Sequence, residues 1–371
     1  MKERINQILD SLQDGSPLAS KQATIGFDGF IDSIVRAVES KNSGSDTKFF
    51  STIEQFGSHL VSKKGMSCSI ELKEEAAKMG GNMPILANAL GTLGTRVNCV
   101  GSLGLPDIHP EFKKMASGCV LYSISDPGFA TAMEFDDGKI MLCRMDAIDT
   151  VNWDNVKASL GLDNLIRFFR ESDLVGLVNW SELTYSDSVW EGILKEILPH
   201  HIQNKQQIAF FDLSDCSRRS DKEILHILQL IGRYSDHYKV ILGMNENETR
   251  LVFRALDNGR SDLDLADMGN KIFENLKVDV LIVHPVKYAL AWDGNGIHRV
   301  DGLYVEKPVL STGGGDNFNA GLCAGQLLGL DIETSLIMAS AVSGFYVKYG
   351  YSPELHELCE ILRYWRDDRS T

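Results

Sequence analysis

Three consecutive glycines, Gly313 to Gly315, are followed at once by Asp316 and then by an apolar, small-residue run. Glycines admit backbone angles that a Cβ forbids, so successive N–H groups can converge on one point. A helix that starts there adds unpaired donors and the positive end of its dipole, and together these make an anion site. A carboxylate at the mouth of that site is of little use for holding the anion. It can instead take the proton of a hydroxyl that attacks a phosphoryl group, while the amides hold the charge in transfer. Read locally, the same residues also make a glycine-rich turn with Asp316 capping a helix.

Other polar groups recur where such chemistry needs them. In QATIGFDGFIDSIV an apolar β-type run enters a glycine, and Asp28 and Asp32 lie just beyond it. Open α/β folds bind ligands at the carboxyl ends of parallel strands, where paired carboxylates can grip sugar hydroxyls. The alternative is a turn with Asp32 as a helix N-cap. Gly80 and Gly81, followed by Asn82, open a small-residue helix and allow close approach of either a ligand or a neighbouring helix. Asn179, Asp212, Asn245 with Glu248, and His284 each follow a strand-like run, and their recurrence at one predicted edge points to a site. In GMNENETRLV, Asn245 and Glu248 can orient waters around Mg2+. An ordinary capping pair competes with that reading. His284 lacks the carboxylate or serine partner of a triad and is a nucleotide-side candidate. The segment ETSLIMASAVSGFYVKYG, which holds Ser343, is rich in small residues that leave room for a flat base or for tight helix packing.

These groups need elements to position them. From Val151 onward, strands (DLVGLVNW, QIAFFDLSD, KVILGMN, DVLIVH) alternate with helices, the pattern of a doubly wound, mainly parallel sheet. Two excursions interrupt it. Between Val35 and Met79, KNSGSDTK is loop-like, Phe49, Ile53, Phe56 and Leu60 follow helical spacing, and SCSIELK alternates like a strand. From about Cys119 to Met145, VLYSIS and TAMEFDDGKIMLCRM alternate, with Asp136, Asp137 and Gly138 as a hairpin turn. The expected organisation is a core of residues 1–35, 76–118 and 149–371, with lid insertions at 36–75 and 119–148. A lid would keep water from a phosphoryl transfer.

Composition narrows the function further. The chain has 371 residues and a formal charge of −14, without a basic cluster interleaved with aromatics, so nucleic acid is not an expected partner. No run is long and apolar enough for a bilayer. The N-terminus, MKERINQILDSLQDGS, lacks a signal peptide's apolar block and reads as a short surface helix of a cytoplasmic protein. Seven scattered cysteines without a C-x-x-C pair argue against a disulfide framework or a zinc site.

Taken in order, IGFDGFID, GGNMPILANALGTLG, NENE and STGGGDNFNAG make the chain resemble the ribokinase-like PfkB carbohydrate kinase superfamily, from about Thr24 to about Pro353. The resemblance implies a doubly wound α/β core with a small β-rich lid. It also implies phosphorylation of a hydroxymethyl group on a sugar, nucleoside or related alcohol, using a nucleotide and Mg2+. It makes Asp316 the base, the amides of Gly313, Gly314 and Gly315 the anion hole, and Asp32 the holder of substrate hydroxyls. Asp28, Gly80, Gly81 and Asn82 fall on the substrate side, Asn245 and Glu248 on the Mg2+ through water, and His284, Asn319 and Ser343 on the nucleotide side.

Three positions depart from the pattern. Leu310 and Ser311 stand where the family often has Asp-Thr beside a monovalent cation. Asn82 directly follows the glycine pair, where the usual asparagine comes a few residues later. His284 and Pro285 replace a Thr-x-Gly segment. The last change, with GFDGFID and GGNMPILAN, is similar to the ADP-dependent branch, whereas the C-terminal signature favours ATP. The expectation is a carbohydrate kinase using ATP, with a lid that could serve a homodimer. Its rivals are a nucleoside kinase, an ADP-dependent sugar kinase and a non-catalytic sugar-binding homologue.

Overall fold

A computed structural model of the chain describes residues 1–12, 17–41, 47–200, 206–257 and 263–368. Parts of the expected N-terminal helix (13–16) and of the first loop (42–46) lie outside the described residues. The chain opens with α1 (Lys2–Ser11), β1 (Gln22–Phe27), β2 (Phe30–Lys41), β3 (Thr47–Phe49), α2 (Ile53–Ser62), β4 (Leu72–Gly80), α3 (Asn82–Thr92) and β5 (Arg96–Gly101). Next come β6 (Cys119–Ser123), β7 (Gly128–Phe135), β8 (Gly138–Arg144), α4 (Trp153–Leu160), α5 (Leu162–Glu171), β9 (Leu174–Leu177), α6 (Ser186–Gly192), β10 (Ile208–Asp212) and α7 (Asp221–Tyr234). The last third holds β11 (Lys239–Met244), α8 (Glu246–Asp257), α9 (Leu265–Asn275), β12 (Val280–Val283), β13 (Tyr288–Asp293), β14 (Gly296–Asp301), α10 (Gly314–Leu327), α11 (Ile332–Tyr349) and α12 (Leu355–Asp368).

Among the described residues, nine strands form one sheet in the order β14-β13-β12-β11-β10-β9-β1-β5-β6, parallel from β12 to β6 and antiparallel in the terminal β13/β14 hairpin. Its central strands are apolar at successive positions because helices cover both faces. Phe210 and Ile241 pack into the layer with α1, α3, α10, α11 and α12, whereas Phe211 and Leu242 pack into the layer with α4 to α9. β1 pairs with β5 on one side and β9 on the other, so the direction of strand addition reverses beside β1. That reversal opens the crevice where such sheets bind ligands.

A second sheet, β3-β2-β7-β8 with β4 also on β2, makes the lid and has its own small core of Val35, Ala37, Phe50, Phe56 and Met133. The lid boundaries differ from the sequence expectation. Lid pairing already begins at Phe30 and lasts to Gly80, because β2 leaves the crevice directly as a strand, without an intervening turn or helix. Asp32 therefore sits on β2 and caps no helix. Conversely, β6 pairs with β5 in the large sheet. It is an edge strand covered on one side, with Val120 half exposed, so it alternates as a lid strand would. Phe49 belongs to β3, and α2 starts at Ile53 after a Thr52 cap.

The small residues of α10 and α11 serve mainly close packing: a Cβ on Gly321 would lie 2.7 Å from the Ala339 Cα. α1, expected on the surface, buries Ile5, Ile8 and Leu9 against the same layer, and Arg4 bonds Asp331 (2.7 Å) and Glu333 (2.7 Å) at the start of α11. Ile8→Ala should thus destabilise the fold by about 2–5 kcal/mol, the range for emptying a buried aliphatic position. Urea unfolding that shows no loss would return α1 to the surface.

Candidate active site

The glycine run is held by backbone geometry and by α11. Gly313 is the N-cap of α10 in the left-handed region (φ 89°), and a Cβ there would lie 2.6 Å from the Tyr346 hydroxyl. Tyr346 donates to the Thr312 carbonyl (3.0 Å) and Ser343 to the Gly314 carbonyl (2.8 Å), which fixes the turn from behind. The Gly314 N–H is spent on the Ser311 carbonyl (3.1 Å), so of the three amides expected in the anion hole this one is engaged within the turn. The N–H groups of Gly313, Gly315 and Asp316 have no main-chain acceptor among the described residues, as expected of donors at a helix start.

Asp316 is half-buried on that first turn. Burial, followed by the charges of Asp212, Asp28 and Glu248, holds its carboxyl well above the usual carboxylate range. Asp28 and Asp212 are each pushed up to about 6, and Glu248 is also raised, by burial first in every case. Four carboxyls of one sign in a dry crevice resist joint ionisation. A bound cation would relieve that conflict and draw Asp316 toward its basic form.

On the acceptor side the two aspartates part company. Asp28 is fully buried and accepts from the Asn82 N–H (2.8 Å), the Met83 N–H (2.8 Å) and the Asn179 amide (2.6 Å). It caps α3 and ties that helix to the end of β9. The reading of Asp28 as a hand for sugar hydroxyls is therefore corrected: its oxygens are occupied by the chain. Asp32 remains partly open, raised by burial and drawn down by Lys78 and Lys139. The glycine pair serves these two acids one each. A Cβ on Gly80 would lie 2.7 Å from the Asp32 carboxylate, and one on Gly81 (φ 94°) would lie 2.6 Å from that of Asp28. Asn82 gives its backbone to Asp28 and keeps a half-buried side chain.

The donor side is a cavity of about 410 Å³, lined among others by His284, Val286, Leu303, Tyr304, Phe318 and Ser343, which reaches Gly314 and Gly315. His284 stacks on Phe318 (ring centroids 4.7 Å apart, 24° between planes), and burial pushes its imidazole down to about 4, so the ring is neutral. Its Nε2 has no partner among the described residues. Mostly apolar walls, an unmet ring nitrogen and helix-start amides at one end fit a nucleotide's base and phosphates. Asn319 does not belong to this wall. It is buried, donates to Asp212 (2.7 Å) and sets its oxygen against Gly243, because its position on α10 turns it toward the sheet. A wider depression of about 940 Å³, along residues 104–110, 126–129 and 144–147, holds none of the candidate residues.

Asn245 and Glu248 form a reciprocal cap of α8: the Asn245 amide donates to Glu248 (2.6 Å), the Asn245 N–H does the same (2.9 Å), and the Glu248 N–H returns to Asn245 (3.0 Å). No cluster of three or more ligating side chains stands ready for a metal among the described residues. Any Mg2+ here would have to be held by water and phosphate oxygens, a mode common for this ion. Nothing in the sequence singles out Tyr346, whose hydroxyl is pushed up to about 12 by burial and by Asp316 and Asp32, or Lys139, which reaches the Thr312 hydroxyl (3.4 Å) from the lid. Lys139 is placed by the pairing of β8 with β7, which pairs in turn with β2.

A family model described as prokaryotic ketohexokinase matches residues 6–365. A ketohexokinase of Haloferax volcanii is 29% identical over 353 residues, covering 94% of this chain and 93% of its own. Among solved structures, a ribokinase of Arabidopsis thaliana complexed with ribose and ATP superposes with a TM-score of 0.64 at 15% identity, covering 92% of this chain and 98% of its own. An adenosine kinase from Sinorhizobium meliloti gives 0.64 at 16% identity, over 93% and 99%. At such identities the two structures show the shared fold alone.

Asp212 offers a direct check of the acid cluster. Its folded carboxyl lies at about 6, above an unfolded value of about 3.9. Its contribution to stability is whole below the unfolded value and is lost as pH rises through the folded one. Asp212→Asn cannot ionise, and its amide can still meet Ser214 and a turned-over Asn319. The melting temperature of this variant relative to wild type should climb between about pH 4 and about pH 6 and level off above that. A constant difference in thermal-shift scans would contradict a buried, crowded carboxyl at this position.

Proposed function

The chain belongs to the prokaryotic ketohexokinase family, and from that premise we propose that it transfers the terminal phosphate of ATP to a hydroxymethyl oxygen of a ketohexose, with Asp316 as general base. The protein is a carbohydrate kinase of the ribokinase-like PfkB kind, which sets aside the non-catalytic alternative. The observation that carries the mechanistic reading is the position of Asp316, one residue past the glycine turn and at the start of α10. The apolar cavity reaches the two glycines before it, and the Tyr346 hydroxyl behind the turn feels the charges of both Asp316 and Asp32.

Asp32 holds the acceptor's hydroxyls, and Asp316 takes the proton of the attacking one. The Gly315 and Asp316 amides face the charge that develops on the transferred group, where fixed donors are worth most. His284, neutral and stacked on Phe318, meets the base of the nucleotide, and Ser343 holds the glycine turn against that cavity. A Mg2+ ion entering with the nucleotide supplies positive charge to the phosphates and lowers the cost of ionising the crowded acids. Asn245 lines the cavity and would orient the ion's waters, held from behind by the buried Glu248. The lid leaves Leu72, Met141 and Leu142 exposed, and a homodimer covering them, acting in the cytoplasm, belongs to the same proposal.

Asp316→Asn should keep the fold, with a melting temperature equal to or above wild type because the variant has no buried carboxyl whose ionisation the crevice penalises. It should lose roughly three or more orders of magnitude in turnover. Near wild-type turnover by this variant would remove Asp316 from the role of base. Nucleoside diphosphate release measured on ketohexoses, ribose and adenosine, with ATP or ADP as donor, settles acceptor and donor separately. Turnover of adenosine without that of any ketohexose, or a preference for ADP, would overturn the respective half of the proposal.

A further inference from the structure

The groups whose charge bears most on Asp316 are acids, namely Asp212, Asp28 and Glu248. Among the described residues no lysine or arginine lines the donor cavity. A phosphoryl group in flight spreads negative charge over its equatorial oxygens, and a cation beside it is a recurrent part of such sites. A few backbone amides amid several carboxyls are a thin provision for that charge.

Lys139 meets the need from the opposite side. It is the second residue of β8, paired across the ladder with Glu134 of β7. Its Nζ lies 3.4 Å from the Thr312 hydroxyl, in the turn that leads into the glycine run. It is also near enough to Asp32 to pull that carboxyl down. Its ammonium thus spans the acceptor's holder and the edge of the anion hole. The hairpin that carries it is pinned at its tip, where Asp137 accepts from the Ile53 N–H (2.9 Å) and the Asp136 N–H donates to the Ser51 carbonyl (2.8 Å). The position of Lys139 is therefore set by the fold of the lid, through α2, and does not depend on one flexible side chain alone.

We propose that Lys139 is a catalytic residue, a lid-borne cation that leaves Thr312 to pair with the equatorial oxygens of the phosphoryl group as it crosses from nucleotide to sugar. In that step the acceptor oxygen bonds to phosphorus, and the bond from phosphorus to the nucleotide's bridging oxygen breaks, its electron pair leaving on the nucleoside diphosphate. The acceptor's proton passes to Asp316, and Lys139 keeps its own. This role rests on the kinase reading above and adds to it a group that acts on the transition state more than on either bound substrate.

Lys139→Ala should lower kcat about 100-fold, the scale for losing one charge-stabilising donor. The KM values for ketohexose and ATP should stay within about threefold, as expected for an interaction made only in the transition state. Lys139→Arg should recover much of the loss. A second measurement avoids turnover altogether. Thermal shifts with ADP and fructose should be alike in wild type and Lys139→Ala, while the added shift from aluminium fluoride, which mimics the phosphoryl in transit, should vanish in the variant. Wild-type kcat in Lys139→Ala, a loss confined to the KM for the sugar, or an intact aluminium fluoride increment would each overturn the role of Lys139 and leave the kinase reading standing. Failure of the wild-type chain to phosphorylate any acceptor would strike at both.

Discussion

The buried carboxylate of Asp28 is the constraint on which the rest of the site depends. It is closed off from water and satisfied by two backbone amides at the start of α3 and by the side chain of Asn179 at the end of β9. A carboxylate so placed is costly unless its hydrogen bonds are met, so the three elements are held to one arrangement. That arrangement lies beside β1, where the sheet reverses its order. It forces Gly81 into a left-handed conformation against Asp28 and sets Gly80 against Asp32. It also brings Met83 onto Gly101, the residue that ends β5. The setting of Asp32 beside the glycine pair is thus tied to satisfying one buried acid.

The same economy appears in the charges. Asp28, Asp212, Glu248 and Asp316 are all raised by burial, and Asp316 also by the other three. Without a cation the crevice resists the joint ionisation of its four acids, Asp316 among them. Positive charge brought into the crevice would shift all four acids toward ionisation together, since each is raised by burial and Asp316 also by the others.

Much of this was legible in the sequence, and what was hidden has physical causes. The glycine run with Asp316, and the alternation of strands and helices after Val151, depend on local geometry, which sequence carries well. The role of Asp28 was not readable, because whether a carboxylate faces ligand or backbone depends on a helix start more than fifty residues later folding back over it. Asn319 was misplaced because the helical run of α10 is apolar nearly all round, so nothing marks which face looks to the sheet and which to the cavity. β6 was assigned to the lid because an edge strand of a covered sheet and a strand of a two-faced lid share one alternation. Lys139 looked like any surface lysine until the register of β8 placed it above Thr312.

The register also bears on how the two sheets work together. Asp32, Ala130 and Cys143 stand side by side across β2, β7 and β8, and Lys139 follows four residues before Cys143 on the same face of the same ladder. Asp32 and Lys139 are therefore parts of one hydrogen-bonded sheet, while Asp316 and the glycine amides belong to α10 in the core. Any displacement of the lid would carry Asp32 and Lys139 together relative to Asp316 and the glycine turn, and a lid that closed would expel water from between them. β2 enters the lid two residues after Asp28, so Asp32 is joined by four residues of chain to the buried acid that ties α3 to the end of β9.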